Sequence, residues 1–368
     1  TRIAFKAAQV TKFLGTEITE ADMVHILETL QFAIEKDGNT LTAVVPSYRG
    51  DCTEMPDIAE EVARVYGYEN IPSTRPAAPI SKGEAGFHHD VGEKISSILS
   101  SSGLNETVTF SFMHPDQLKK LLFKDGDAVY NAVPILNPIT EDFPLMRTTL
   151  IPTLMDVLVR NQAVKNPSVG IYEIAPVYRP KQLPLTELPE QEFYVTGLLY
   201  GQRTATEWPE KAENYDFYDV KGLVEAVLQG LGIQADLEVS DWAPLHPGKA
   251  ARYVKDGKVL CDFGELHPKA VDNYDVAGPV YVFEMHMDAI LPLVNLLPDY
   301  HKVAKFPASS RDLAFLAPLA TTNADIVDVI KEDGGENLEA VHLFDMYTGK
   351  QVPQGYKSLA YSLVFRSE

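Results

Sequence analysis

Cysteine is almost missing from this chain: Cys52 and Cys261 are the only two in 368 residues. Neither belongs to a Cys-x-x-Cys pair, so neither a disulfide framework nor a cysteine zinc site is expected, and a reducing cytoplasm fits. Long apolar runs are missing too. None reaches the roughly 18 residues that a membrane helix needs. The chain starts at Thr1 with no charged-then-apolar leader, so no secretory signal is read. Positive charge is scarce, with 32 Lys and Arg against 52 Asp and Glu, a net −20. Such a chain is no polycation built to coat nucleic acid, and any RNA contact must be local or come from a partner. No Gly-x-Ser-x-Gly elbow, Walker loop or Gly-x-Gly-x-x-Gly fingerprint occurs. His88-His89, His246 and His267 lack the spacing of a zinc helix, and His before Pro reads as a turn with a local hydrogen bond.

What is present is an ordinary globular mix, 45% hydrophobic and 23% charged. At roughly 150 residues per domain it suggests two or three domains. Residues 1–75 read as a small α+β module. Thr19 caps a helix whose Met23, Ile26, Leu27 and Leu30 share one face, Leu41, Ala43 and Val45 alternate as a strand, and a second helix runs from about Asp57 to Tyr66. The Pro-rich stretch from Pro72 to Pro79 reads as a linker. Residues 76–298 mix helices, near 87–102, 150–164 and 220–228, with strands expected at Val108–Phe112, Val169–Glu173 and Glu192–Tyr200. Asp256-Gly257 marks a hairpin. Hairpins and one-sided strands argue for an antiparallel sheet with helices, hence α+β rather than a doubly wound fold. Residues 299–368 read β-α-β-β from near His301, a ferredoxin-like pattern with a helix and a strand still owed. With Thr1 at the start, this points to an internal piece of a longer chain.

The sharpest polar feature is Arg49-Gly50-Asp51 followed by Asp57-Ile58-Ala59-Glu60-Glu61. On a helix starting near 57, Asp57, Glu60, Glu61 and Arg64 form one polar stripe, opposite Ile58, Val62, Val65 and Tyr66. Three carboxylates in a turn, plus Asp51, offer hard oxygen ligands for Mg²⁺. The plainer reading is a solvated first turn favoured by the helix dipole, with Arg64 pairing Glu60 or Glu61. On physics alone the plainer reading is ahead.

Three blocks in order carry a resemblance. The first is Val45-Pro46-Ser47-Tyr48-Arg49-Gly50-Asp51 with Glu60-Glu61-Val62-Ala63-Arg64-Val65-Tyr66-Gly67-Tyr68-Glu69-Asn70-Ile71-Pro72. The second joins Leu136-Asn137-Pro138, Leu145-Met146-Arg147-Thr148-Thr149-Leu150, Tyr172-Glu173-Ile174, His246-Pro247-Gly248 and Gly264-Glu265-Leu266-His267-Pro268. The third is Phe306-Pro307-Ala308-Ser309-Ser310-Arg311-Asp312-Leu313-Ala314-Phe315. Nearly the whole chain resembles the C-terminal part of the β subunit of bacterial phenylalanyl-tRNA synthetases, without the editing region that would precede residue 1.

The resemblance implies a helical/winged metal-binding module, then a catalytically silent class II synthetase-like core, then a truncated ferredoxin-fold anticodon-binding module. It moves the Mg²⁺ reading ahead, with Asp51, Asp57, Glu60 and Glu61 as ligands. It implies an α-subunit partner in a heterotetramer of two α and two β chains, phenylalanine tRNA as the RNA, ATP used by the complex, and a cytoplasmic home without a membrane. Arg311 and Lys357 are the cations expected to meet tRNA. An active class II core grips phosphates with arginines, yet no Arg lies between Arg252 and Arg311, and Tyr172-Glu173-Ile174 lacks the Arg-x-Glu pattern. The chain alone is therefore expected to be inactive. Two rivals stand beside this reading: an autonomous ATP-dependent ligase, and an interaction scaffold of synthetase-like fold with no tRNA role.

Overall fold

The structure is a computed structural model describing every residue except 76–82, 84, 205–207, 209–210, 298–299, 301 and 368. Most of the expected linker, the boundary near 298 and the start near His301 thus lie outside the described residues. The chain divides into two compact units, residues 1–84 and 85–368.

In the first unit, β1 (Arg2–Phe5), α1 (Ala7–Leu14), α2 (Glu20–Thr29), β2 (Ala33–Asp37), β3 (Thr40–Val44) and α3 (Met55–Tyr66) follow in order. The strands form an antiparallel sheet in the order β1-β3-β2. Thr19 caps α2, its Oγ1 accepting from the Asp22 N–H at 3.2 Å. The expected stripe of α2 is buried through Met23, Ile26 and Leu27, against Phe5, Leu41, Ile58 and Val62. Pro56 stands in the first turn of α3 and Gly67, at φ 97°, ends it, a backbone region that favours glycine.

The second unit opens with α4 (Phe87–Ser101), β4 (Asn105–Glu106), β5 (Phe112–Met113), α5 (Pro115–Lys120), β6 (Leu145–Met146) and α6 (Ile151–Ala163). Then come β7 (Ser168–Arg179), β8 (Glu190–Thr204), β9 (Glu213–Asn214), α7 (Phe217–Gly230), β10 (Asp236–Val239), β11 (Leu245–Lys255), β12 (Lys258–Leu266), α8 (Pro268–Asp272), β13 (Val280–His286) and α9 (Met287–Ile290). The large sheet runs β10-β11-β12-β13-β8-β7-β4, antiparallel except where β4 meets β7, with β9 beside β8. Side chains alternate across it, so each face has its own core. One face packs Tyr172, Val195, Phe263 and Phe283 under α4 and α7; the other packs Ile171, Leu198 and Val282 under α6. Gly197 on β8 sits opposite Phe283, where a Cβ would lie 2.2 Å from the ring; glycine is what lets the ring cross the strand. Asp256 and Gly257 turn the β11–β12 hairpin with φ 50° and 74°, the mirror-turn geometry that Asp-Gly signals.

One strand expectation is corrected. Val108–Phe112 is not a continuous strand: only Asn105–Glu106 and Phe112–Met113 pair, and the stretch between them leaves the sheet. Its polar side chain is held elsewhere, Thr109 being bonded to Glu173 through both its N–H and its hydroxyl.

The chain closes with β14 (Ser309–Pro318), α10 (Asn323–Asp333), β15 (Leu338–Tyr347) and β16 (Tyr356–Phe365), the strands ordered β14-β16-β15. This is the expected β-α-β-β. Helix α10 buries Ile326 against Ala317, Leu359 and Tyr361, while Leu316, Phe344 and Met346 stay exposed. The α+β class holds throughout.

Candidate functional site

The acidic feature of residues 1–84 is built around an arginine. Arg49 leaves the loop after β3 and grips two carboxylates at once. Its Nη2 donates to Asp51 Oδ2 at 2.7 Å and to Glu61 Oε1 at 2.9 Å, and Nη1 donates to Glu61 Oε2 at 2.8 Å. Arg64, one turn on along α3, adds a bond to Glu61 Oε2 at 2.6 Å. Glu61 is therefore no member of a solvated stripe: it is buried, 4% exposed. The Arg49 guanidinium holds its carboxyl down at about 2 against its own burial, and Asp51 is held at about 2 by the same group. Fork-on-carboxylate geometry explains the strength. Asp57 does different work. Its Oδ2 accepts the N–H groups of Thr53 and Glu54 at 2.7 and 2.8 Å, closing the N-terminus of α3 and lowering its pKa. Glu60 is exposed.

The four acids expected to hold Mg²⁺ do not fit a divalent cation in this arrangement. Asp51 and Glu61 already surround a guanidinium, Asp57 caps a helix, and Glu60 faces away from burial. Among the described residues no group of three or more His, Cys, Asp or Glu is set to hold a metal ion. Arg49 supplies the counter-charge for Asp51 and Glu61 from within the chain.

The large sheet carries a second polar centre. One register row runs Glu173, Thr196, Glu284 and Asp262 across β7, β8, β13 and β12. Arg147, 1% exposed, donates to Glu173 Oε1 at 2.9 Å, Thr109 Oγ1 at 3.0 Å and the Pro176 carbonyl at 3.0 Å. Arg179 donates to Glu192 at 3.1 Å, the Tyr194 hydroxyl at 3.0 Å and the Thr148 carbonyl at 3.3 Å. Glu284 meets only neutral donors: Thr149 Oγ1 at 2.7 Å, Thr196 Oγ1 at 3.1 Å and the Leu150 N–H at 3.2 Å. Burial pushes its carboxyl up to about 7. Arg147 and Arg179 are thus both bound within the protein.

Arg311 and Lys357 are not brought together. Arg311 pairs in register with Leu363 and Lys357 with Ala317, six residues apart along β14, or about 20 Å at ~3.3 Å per residue. Arg311 donates to Ser309 Oγ and the Ser310 carbonyl, Lys357 to the Leu319 carbonyl. The two His-Pro turns do hold local bonds as expected, His246 Nδ1 accepting from Gly248 N and His267 Nδ1 from Lys269 N. Sequence reasoning missed the roles of Arg49, Arg147 and Glu284; the signal within reach was an Arg two residues before Asp51, able to fold back onto it.

Comparison with known proteins follows this geometry. The model described as the phenylalanyl tRNA synthetase beta chain CLM domain matches residues 71–287, more than half of the chain. The chain belongs to the phenylalanyl tRNA synthetase beta chain family. The tRNA synthetase B5 domain model matches residues 3–68 and the ferredoxin-fold anticodon binding domain model residues 304–368. Among relatives, the phenylalanine–tRNA ligase beta subunit of Clostridium tetani is 35% identical over 359 residues, covering 97% of this chain and 44% of that protein. The Clostridium acetobutylicum one is 36% identical over 361 residues, covering 98% and 44%. The chain thus spans about 44% of the length of these relatives. Among solved structures, a pyrrolysyl-tRNA synthetase from Desulfitobacterium hafniense aligns with a TM-score of 0.43 at 15% identity, covering 74% of this chain and 88% of that one. In beta-chain terms, the Arg49-centred acids lie in the B5-matched stretch, and the Arg147–Glu173 pair lies in the CLM-matched stretch. No helix of the described residues is long and apolar enough to cross a membrane.

Proposed function

We propose that this chain is a non-catalytic part of the β subunit of a cytoplasmic phenylalanine–tRNA ligase, which joins phenylalanine to its tRNA at the expense of ATP. In this reading it associates with an α subunit, which activates the amino acid, and contributes to holding tRNA, the assembly being two α and two β chains. The observation that carries the silent role is the self-saturation of the sheet face. A reaction that builds negative charge on phosphates needs cations aimed at the substrate, whereas Arg147 and Arg179 are aimed at Glu173, Glu192 and carbonyl oxygens of the chain itself. Releasing Arg147 leaves the buried Glu173 carboxylate without a counter-charge, which costs several kcal/mol.

The residues' own work in this reading is architectural. The buried Arg147–Glu173 pair ties residues 107–111 to β7, and the C-terminal sheet presents separated cations, Arg311 and Lys357, rather than a basic field. RNA affinity from so few phosphate contacts depends weakly on salt. No step is routed through Mg²⁺. The test is reconstitution with purified α subunit, phenylalanine tRNA and ATP. Charging and phenylalanine-dependent pyrophosphate exchange are expected only with α present, and exchange by this chain alone overturns the silent role. A chain that binds α but leaves tRNA affinity of the complex unchanged favours the scaffold reading instead.

A further inference from the structure

The two His-Pro turns that stand out in the sequence frame one end of the large sheet. Five steps along β11 oppose two along β12 there, Leu245 pairing with Leu266 and Ala250 with Gly264, so β11 bulges between them. His246 Nδ1 accepts the Gly248 N–H inside the bulge, and His267 Nδ1 accepts the Lys269 N–H where β12 turns into α8. Gly264 lets the strands close up again, since a Cβ on it would lie 2.3 Å from the Lys249 carbonyl oxygen. The bulge thereby brings Lys249 to Glu265, its Nζ donating to Oε2 at 2.6 Å.

Both members of this pair line a cavity of about 390 Å³, within the ~300–1,000 Å³ of small-molecule clefts. Lys249, Glu265 and Tyr281 supply polar groups to its wall, and Leu266, Val271 and Val276 supply apolar ones. The pair is unlike the other buried acid's. In Arg147–Glu173 both side chains are shut away, 2% and 3% exposed, whereas Glu265 is 9% exposed and the Lys249 ammonium 52%. Lys249 uses one of three donors on Glu265, and a carboxylate offers about four acceptor positions. Each charge therefore keeps capacity for a further partner of opposite sign. Burial and the Glu265 carboxylate push the Tyr281 hydroxyl up to about 12, so it remains a donor at neutral pH.

A positive and a negative group side by side, with an apolar wall beside them, fit a ligand built the same way. A simple anion would face Glu265 and the exposed Asp272. A simple amine would compete with Lys249 for its acid. A zwitterion meets both charges, extends the pair into an alternating ring and adds no net charge to a partly dry site. We propose that this cavity binds a free α-amino acid with an apolar side chain. Its ammonium bonds Glu265, its carboxylate bonds Lys249, and its side chain lies against Leu266, Val271 and Val276. A peptide end carries only one of the two charges on a given carbon, so the free amino acid is the ligand. The proposal stands on this cavity and does not depend on the β-subunit reading.

The test is isothermal titration of the chain with L-leucine and with three reduced forms of it: isoamylamine without the carboxylate, isocaproate without the ammonium, and glycine without the side chain. L-Leucine is expected to bind, and each reduced form to bind at least ~10-fold more weakly. Lys249→Met, at an exposed side chain, is expected to keep the thermal midpoint and to erase the preference for leucine over isoamylamine. Glu265→Gln is expected to erase the preference over isocaproate; if this buried variant unfolds, Lys249→Met decides. Isoamylamine binding as tightly as leucine to the wild type would reduce the cavity to a cation site and overturn the proposal. A preference left intact in Lys249→Met would overturn it too, as would glycine matching leucine. So would the lack of saturable binding by leucine, methionine and phenylalanine up to ~10 mM.

Discussion

Glu61 in the first unit and Glu284 in the second are buried alike, 4% and 3% exposed, and they are driven in opposite directions. Glu61 faces two guanidinium groups and is held at about 2; Glu284 faces hydroxyls and one backbone N–H and is pushed up to about 7. Depth does not decide the charge of a buried carboxyl; the charge of its partners does. The two acids therefore stabilise the fold on opposite sides of neutrality. Glu61 binds its proton more weakly folded than unfolded, so its contribution is present above the ordinary Glu range near 4.5 and is lost as pH falls toward 2. Glu284 binds its proton more tightly folded, so its contribution is present below about 4.5 and is lost as pH rises through 7.

The largest test of this contrast removes the cation. Arg49→Met is expected to destabilise the first unit by about 3 kcal/mol, since Glu61 is left buried with only Arg64. Urea unfolding followed by far-UV dichroism reads it. Glu61→Met added to Arg49→Met is expected to recover much of the loss, because no charge then remains unpaired. A loss below 1 kcal/mol in the single variant would show that Glu61 finds solvent instead.

Next in size is Glu284→Gln. The wild type should lose about 3 kcal/mol between pH 4 and pH 8 through this residue, since burial pushes its carboxyl from the ordinary range up to about 7. Glutamine keeps an acceptor for Thr149, Thr196 and Leu150 N–H but does not titrate. The variant's stability should thus gain on the wild type as pH rises, with the gap opening between about 4.5 and 7. Parallel pH curves would remove the neutral-carboxyl assignment.

What sequence could and could not reveal follows the same line between local and distant causes. The face of α2 with Met23, Ile26 and Leu27, the Thr19 cap and the Asp256-Gly257 hairpin are local patterns, and each is where its period or turn chemistry put it. The acidic stripe on α3 was legible as charge, but its meaning depended on Arg49, which reaches Glu61 across 12 residues of chain. Helical spacing grouped Glu61 with solvent; a long-range ion pair drew it inside. Residues 107–111 mislead for a like reason. Alternation of Val108, Phe110 and Phe112 is a strand signal, yet Thr109 gives its N–H and hydroxyl to the Glu173 side chain, 64 residues away, instead of to the backbone of a neighbouring strand. Apolar residues that alternate in a strand normally face a core. Here two of them, Val108 and Phe110, face outward, so the pattern alone misplaces them.

A smaller effect is expected at Asp57. Its carboxylate satisfies two N–H groups at the start of α3, so Asp57→Ala should cost about 1 kcal/mol, as helix caps do. The loss should appear above the range in which Asp57 titrates and shrink in acid, because its folded pKa is lowered. Stability measured at pH 7 and again near pH 3 separates this from a loss of packing, which would be the same at both.

The smallest expected effect is at Glu60, and it discriminates most between a cation site and an arginine-closed one. Glu60 is exposed on α3 and, unlike Asp51 and Glu61, is not gripped by Arg49. If the guanidinium already neutralises the acids, Glu60→Gln should change stability by no more than about 0.5 kcal/mol, the usual range for a surface substitution. Millimolar Mg²⁺ or Mn²⁺ should then move the thermal midpoint of wild type and variant equally little. A ligand that binds only the folded state stabilises it by mass action, so a rise in midpoint with Mg²⁺ in the wild type, abolished by Glu60→Gln, would mean that a cation enters beside Arg49. Arg49→Met sharpens the outcome. With the guanidinium gone, Asp51 and Glu61 repel until something positive arrives, and this variant alone should gain stability from added Mg²⁺.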